Sequence, residues 1–352
     1  YIRNVVEQIS KIDNRNEYFL FLLPKNISEV NLPSNFKLIP VNIRWHTLAE
    51  QTRLPLVFLR QKLDILFVPH FNVPILYPGK FVATIHDLTI LRTRTGRATT
   101  LPYFVYLIKH LAYRINLLFT VKRAKVLFTP SNFVKEDVAK TFNLKNKKIL
   151  KTLCSAPLDF KPVSYQDSVE ILEKYGVTKP YLFYVGNAHP HKNLETLILA
   201  WGKVMEKRPD LNLVLGGKKE FFYTRLEQEL TEKDLAGNIK FIGYVYDSDL
   251  PALYSQAEAF VNPSLCEGFG IQVLEAFSCG TKVICSNSTS FPEVGGSLAF
   301  YFDPRSPDNM AEVILESLAK PYNKEAGFKW VKNFSWKESA RIILSTLETL
   351  AN

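Results

Sequence analysis

Short apolar runs recur along the chain and alternate with longer stretches whose apolar positions follow a helical period. In the second half the runs occupy residues 181–186, 211–217, 239–245, 259–264 and 282–286. Amphipathic stretches such as Leu194–Glu206 and Glu220–Leu235 separate them. Strands that are apolar throughout, rather than at every second position, are those covered on both faces, and helix-length spacers let them run parallel. The pattern predicts a doubly wound α/β domain. The first half repeats the rhythm, with predicted strands at 17–24, 36–41, 64–70, 80–87 and 125–131 and the longest predicted helix around Pro102–Arg123. Ser131 is placed to cap a helix over Asn132–Thr141.

A stretch with Pro157 and Pro162 has the composition of a linker. The expected division is a first domain over 1–154, a linker over 155–170, a second domain over 171–334 and a final helical segment over 335–352. Two Rossmann-like domains in tandem, with a cleft between them, follow from this reading. The chain opens inside an amphipathic pattern (Ile2, Val5, Val6, Ile9) with no strand before it. A doubly wound sheet usually begins with a central strand and a tight turn into a helix. The first domain is therefore expected to lack its first strand.

Composition narrows the class. A chain of 352 residues with 47% hydrophobic and 22% charged residues has the material for two packed cores, so disorder is excluded. No apolar run reaches the roughly 18 residues of a membrane span. The nearest candidate, Leu101 to Val121, is interrupted by Lys109, His110 and Arg114. Four cysteines (Cys154, Cys266, Cys279, Cys285) lack metal-type spacing and read as reduced, buried thiols of a cytoplasmic protein. Residues 1–150 hold 23 Lys and Arg against 9 Asp and Glu, whereas residues 151–352 hold 21 against 25. The basic half is suited to an anionic partner such as a lipid phosphate, a membrane surface or nucleic acid, although no nucleic-acid recognition motif is present.

The sharpest chemical signal is the stretch from Pro263 to Ala276. A strand ends near Pro263, and a loop with Gly268 and Gly270 leads into a helix. The glycines admit close backbone approach, and the first N–H groups of the helix can receive an anion. Glu267 lies in the loop and Glu275 about five residues into the helix, roughly 7.5 Å along its axis. Two carboxylates on either side of a phosphate-binding helix start suit a ligand with hydroxyls at both ends. The plainer alternative is a glycine turn with two solvated glutamates. A second signal, Gly186 to Asn193, ends the first strand of the second domain, and Lys192 there offers a charge-assisted contact to a diphosphate. A solvated surface lysine is the alternative. His189 and His191 lack the carboxylate or cysteine that would complete a metal set, so no metal is expected. A third signal is Thr84-Ile85-His86-Asp87-Leu88 at the end of a first-domain strand. His86 can hydrogen-bond a sugar hydroxyl or phosphate, with Asp87 fixing its tautomer, or it can be a structural histidine.

The pair Glu267 and Glu275, seven residues between them, resembles the signature of retaining glycosyltransferases of family 4. The likeness extends through residues 84–87, 130–131, 186–193, 241–245 and 291–295, and its flavour is that of bacterial mannosyltransferases building lipopolysaccharide or exopolysaccharide. The resemblance implies a GT-B fold, two Rossmann-like domains facing a cleft. It implies that Lys192, with Gly186 and Asn187, holds the donor diphosphate, and that Tyr244 and Val245 lie by the base. Glu267, with Gly268, Phe269, Gly270 and Ile271, would meet the sugar and phosphate, and Glu275 the ribose. His86, Asp87 and Glu267 are the implied catalytic residues, and the helix from Trp336 to Leu350 would return to the first domain. Many relatives carry arginine where this chain has Asn187, which removes one of two expected diphosphate cations.

The expected activity is transfer of a hexose, mannose foremost, from a nucleoside diphosphate sugar (GDP-mannose) to a glycan or lipid-linked acceptor, with retention. No cofactor or metal is expected. Aromatic and cationic residues mix from Tyr103 to Arg123, as on interfacial helices, so peripheral association with the anionic inner face of the membrane is a further expectation. A non-catalytic GT-B relative acting as a binding subunit is the rival reading.

Overall fold

The computed structural model describes residues 1–45, 47–92, 102–232 and 238–351. The chain divides into two compact units. The first contains Tyr1–Leu88, Pro102–Cys154 and the C-terminal stretch from Ser335. The second contains Ser155–Phe334 with the short helix Thr89–Arg92.

Six strands of the first unit are β1 (Tyr18–Leu22), β2 (Phe36–Pro40), β3 (Leu66–Val68), β4 (Phe81–Thr84), β5 (Leu127–Thr129) and β6 (Ile149–Lys151). All their pairings are parallel, but they form two sheets, β1-β2 and β3-β4-β5-β6. A cavity of about 790 Å³ lies between β1 and β3, and its apolar lining includes Tyr18, Phe21, Leu66, Val6 and Leu344. The parallel strands of the first unit thus fall into two sheets. The helix Ile2–Ile12 buries Val5 and Ile9 and packs on the C-terminal helix Trp336–Ala351, whose buried Ala340, Ile343 and Leu344 share one face.

The second unit carries β7 (Tyr181–Val185), β8 (Asn212–Gly216), β9 (Ile239–Gly243), β10 (Ala259–Asn262), β11 (Val283–Ser286) and β12 (Phe300–Phe302). They form one parallel sheet in the order β12-β11-β10-β7-β8-β9. Tyr181, Leu182, Phe183 and Tyr184 of β7 are buried on both faces, which is why the run is continuously apolar. The helix Leu194–Lys207 buries Leu194, Leu197, Ile198, Trp201 and Val204 at helical spacing and packs on the helix Pro307–Ala319. The strand order reverses between β7 and β10, so the loops after these two central strands meet at the carboxyl edge, the place where such sheets bind ligands.

The expected linker is shorter than 155–170. A helix over Tyr165–Tyr175 begins inside it, capped by Ser164, whose hydroxyl accepts the Asp167 N–H, and ended by Gly176 in the left-handed region. The expected helix Glu220–Leu235 is seen as Phe221–Glu232, and residues 233–235 lie outside the described residues, as does Leu101. The helix Tyr103–Arg123 forms close to the expected Pro102–Arg123. By length and composition it meets the test for a membrane-crossing helix, with 22% of its apolar window buried.

Candidate active site

The loop after β7 and the loop after β10 are joined by backbone and side chain. The Leu265 N–H donates to the carbonyl of His191 at 2.8 Å. Asn193, left-handed at φ +60°, donates its amide to the carbonyls of Pro263 at 3.1 Å and Pro304 at 2.7 Å. This asparagine pins three loops together and caps the short turn Pro190–Lys192. Its role was not legible in the sequence, because its partners lie 70 and 111 residues away.

That arrangement brings Lys192 and Glu267 together. Lys192 Nζ donates to Glu267 Oε1 at 2.5 Å, and both side chains are largely buried. Ser264 Oγ donates to the same oxygen at 2.8 Å and lies 2.6 Å from Asn262 Oδ1 at the end of β10. Such charge-assisted contacts are the strong ones, and a buried pair needs them to offset desolvation. The lysine's charge is thus balanced by a carboxylate that a neighbouring hydroxyl also holds.

Gly270 caps the helix Ile271–Ser278 with φ +84°, and a Cβ there would lie 2.7 Å from the Phe291 ring. Only glycine fits both demands. Gly268 and Phe269 complete the loop, and the Ser290 hydroxyl donates to the carbonyls of Glu267 and Phe269. Ile271 opens the helix, whose first N–H groups have no partner within it.

Glu275 is buried on that helix and accepts a hydrogen bond from the Tyr254 hydroxyl at 2.9 Å. Burial pushes its carboxyl up to about 7, against the opposing pull of the Tyr254 hydrogen bond. Tyr254, 21 residues away on another helix, was not among the expected site residues.

Gly186 and Asn187 follow β7. The Asn187 carbonyl accepts the Tyr184 hydroxyl at 2.7 Å, and its side chain accepts the His189 N–H at 3.3 Å, so Asn187 shapes the turn. His189 and His191 stack at 5.9 Å, and among the described residues no group of three metal-type ligands occurs. Gly243 at the end of β9 is left-handed, after which Tyr244 is exposed and Val245 buried. All four cysteines are buried, and none of them forms a disulfide among the described residues.

His86 and Asp87 lie in the first unit, just after β4. The His86 ring Nε2 is 3.0 Å from the carbonyl of Pro69, which can only accept, so a proton on Nε2 satisfies this contact. Burial lowers its basicity, and the Tyr1 ring meets it edge-on at 4.7 Å. Burial thus favours the neutral imidazole, in which Nδ1 is the acceptor.

Residues 169–333 match the family described as glycosyl transferases group 1. The O-antigen chain mannosyltransferase B of Escherichia coli is 30% identical over 338 residues, 94% of this chain and 85% of that protein. A sucrose-phosphate synthase structure from Thermosynechococcus elongatus matches with a TM-score of 0.77 at 19% identity, covering 99% of this chain and 92% of the other. The structure of Anabaena HepE in complex with UDP and glucose gives 0.74 at 15% identity, covering 99% and 95%. These neighbours share the GT-B fold. With such similarity along nearly its whole length, the chain belongs to the group 1 glycosyl transferases.

Proposed function

We propose that this protein transfers mannose from GDP-mannose to a hydroxyl of a glycan or lipid-linked acceptor, with retention at the anomeric carbon and without a metal. The observation that carries the proposal is the buried Lys192–Glu267 pair beside the Gly270 helix start, with Glu275 further along the same helix. Similarity to an O-antigen mannosyltransferase supports the sugar.

In this reading the bond from the anomeric carbon to the phosphate oxygen breaks, and a bond to the acceptor oxygen forms on the same face. The acceptor's proton passes to the departing phosphate oxygen. Lys192 and the N–H groups at the helix start stabilise the charge that develops on the diphosphate. Lys192 moves from Glu267 to that diphosphate, which frees the carboxylate for the sugar hydroxyls. Glu275 takes the ribose, and the backbone around Tyr244 and Val245 takes the base. Neutral His86 accepts a hydroxyl hydrogen bond from the sugar or acceptor, with Asp87 next to it. Asn187 supplies no charge, so Lys192 is the principal cation of the donor site.

The acceptor side is membrane-proximal, on the cytoplasmic face. The helix Tyr103–Arg123 exposes Tyr103, Phe104, Ile108, Leu111 and Ile115, with Lys109, Arg114 and Lys122 also exposed. An apolar stripe bordered by cations suits an anionic lipid interface.

The test is a panel of GDP, UDP, dTDP and their sugars, read by thermal shift, calorimetry and nucleotide release. Selective stabilisation by GDP and GDP-mannose, with GDP release on adding acceptor, is the expected result. Selectivity for another nucleotide overturns the donor, and no binding at all overturns the site. Binding without turnover over any acceptor favours a binding subunit.

A further inference from the structure

Glu267 is held through its backbone as well as its carboxylate, and one of the holders sits where a threonine is strained. The Glu267 N–H donates to Thr289 Oγ1 at 3.1 Å, and its carbonyl accepts from Ser290 Oγ at 3.1 Å. Thr289 lies between β11 and the helix Phe291–Gly295, with φ +59°. In the left-handed region Cβ crowds the following carbonyl, and a β-branched residue there is an outlier. Such backbone persists only where its surroundings over-determine it. The turn itself does not require threonine. Its backbone bonds, from the Phe291 N–H to the carbonyl of Ser288 and from the Glu293 and Val294 N–H groups to the carbonyl of Ser290, make no use of the Thr289 side chain. Glycine or asparagine would occupy the position more easily. What threonine adds is a hydroxyl on the Glu267 amide.

We propose that Thr289 is a positioning residue for Glu267, its left-handed backbone aiming Oγ1 at the Glu267 N–H so that the carboxylate stays beside Lys192. The inference rests on the reading of Glu267 as the sugar-facing carboxylate. Thr289 acts through Glu267, and Ser290 completes the grip by holding the carbonyls of Glu267 and Phe269. The loop after β11 therefore sets the position of a group that belongs to the loop after β10.

Three variants test this: Thr289→Gly removes strain and hydroxyl together, Thr289→Ser keeps the hydroxyl, and Thr289→Val keeps the strain without it. In Thr289→Gly the melting temperature should not fall, kcat should drop by at least about tenfold and the nucleotide Kd should stay within about twofold. Thr289→Val should lose kcat similarly and melt lower, whereas Thr289→Ser should keep kcat within about threefold of the parent. Full kcat in Thr289→Gly, nucleotide affinity falling in step with kcat, or no retention by serine overturns the proposal. Hydrogen exchange at the Glu267 amide reads the same contact without activity. Faster exchange in Thr289→Gly but not in Thr289→Ser supports it, and unchanged exchange in Thr289→Gly overturns it. Should the parent protein transfer no sugar, the functional reading fails while the exchange measurement still decides the positioning role.

Discussion

Tyr254 donates its hydroxyl to Glu275 at 2.9 Å, and both groups are buried inside the second unit. Glu275 keeps its proton in the folded protein until the pH reaches about 7, against 4.5 for an ordinary glutamate. Hydroxyls bond an ionised carboxylate more strongly than the neutral acid, because the acceptor's charge assists them. Nucleotide affinity should therefore rise as the pH passes from 6 to 8, and Glu275→Gln should flatten that rise. Because the Tyr254 bond opposes the shift, Tyr254→Phe should move the inflection upward. Calorimetric Kd values across that range check all three.

The same group sets a stability slope. The folded state binds the Glu275 proton more tightly than the unfolded chain, so this contribution is full below pH 4.5 and is lost as the pH rises towards 7. Its size is about 3 kcal/mol by linkage, and Glu275→Gln should remove it. Denaturant midpoints of parent and variant, measured at pH 5 and pH 8, should diverge by that order.

Lys192 and Glu267 should prove interdependent. Lys192→Met leaves a largely buried carboxylate with Ser264 as its remaining side-chain donor, at a cost of about 3 kcal/mol. Adding Glu267→Gln should recover most of that stability but none of the nucleotide affinity. A double variant no more stable than Lys192→Met would show that the pair is not what holds the two loops.

Gly270→Ala should destabilise the protein by about 2 kcal/mol or more, since it combines a left-handed φ with a close approach to the Phe291 ring. Phe291→Leu in the same chain should relieve part of the loss. A denaturation midpoint within experimental error of the parent would contradict the steric account.

Vesicle binding separates the cations of the helix Tyr103–Arg123. The Arg123 guanidinium donates to the carbonyls of Tyr77 and Pro78 and belongs to the fold, so its replacement is uninformative. Phe104→Ser with Ile108→Ser should abolish binding to anionic vesicles, and Lys109→Glu with Lys122→Glu should weaken it most at low salt. Equal retention of parent and variants would remove the lipid reading.

The sequence revealed most where burial is two-sided. Strands β7, β8, β10 and β11 announce themselves as apolar runs because helices cover both faces of the sheet. β6 and β12 were missed: β6 has only Ile149 and Leu150 between lysines, and β12 is a three-residue strand at the edge of its sheet. The helix Tyr165–Tyr175 had legible signals in Ser164, Asp167 and Gly176, which two nearby prolines obscured. Lys192, Glu267 and Glu275 stood out through loop and helix chemistry. Tyr254, Asn193 and Thr289 did not, since each acts across a gap in sequence that only the folded sheet closes.

The cavity beside β1 has a consequence for handling the protein. Among the described residues β1 pairs only with β2 and β3 only with β4, and the edges that border this gap run parallel to the rest of their sheets. An extended apolar segment entering there would gain ladder hydrogen bonds on two flanks, whereas an ordinary sheet edge offers one. Where no such segment fills the gap, self-association on heating or concentration should nucleate in the first unit. A charged residue at Phe21, inside this gap, should raise the concentration at which the protein begins to scatter light.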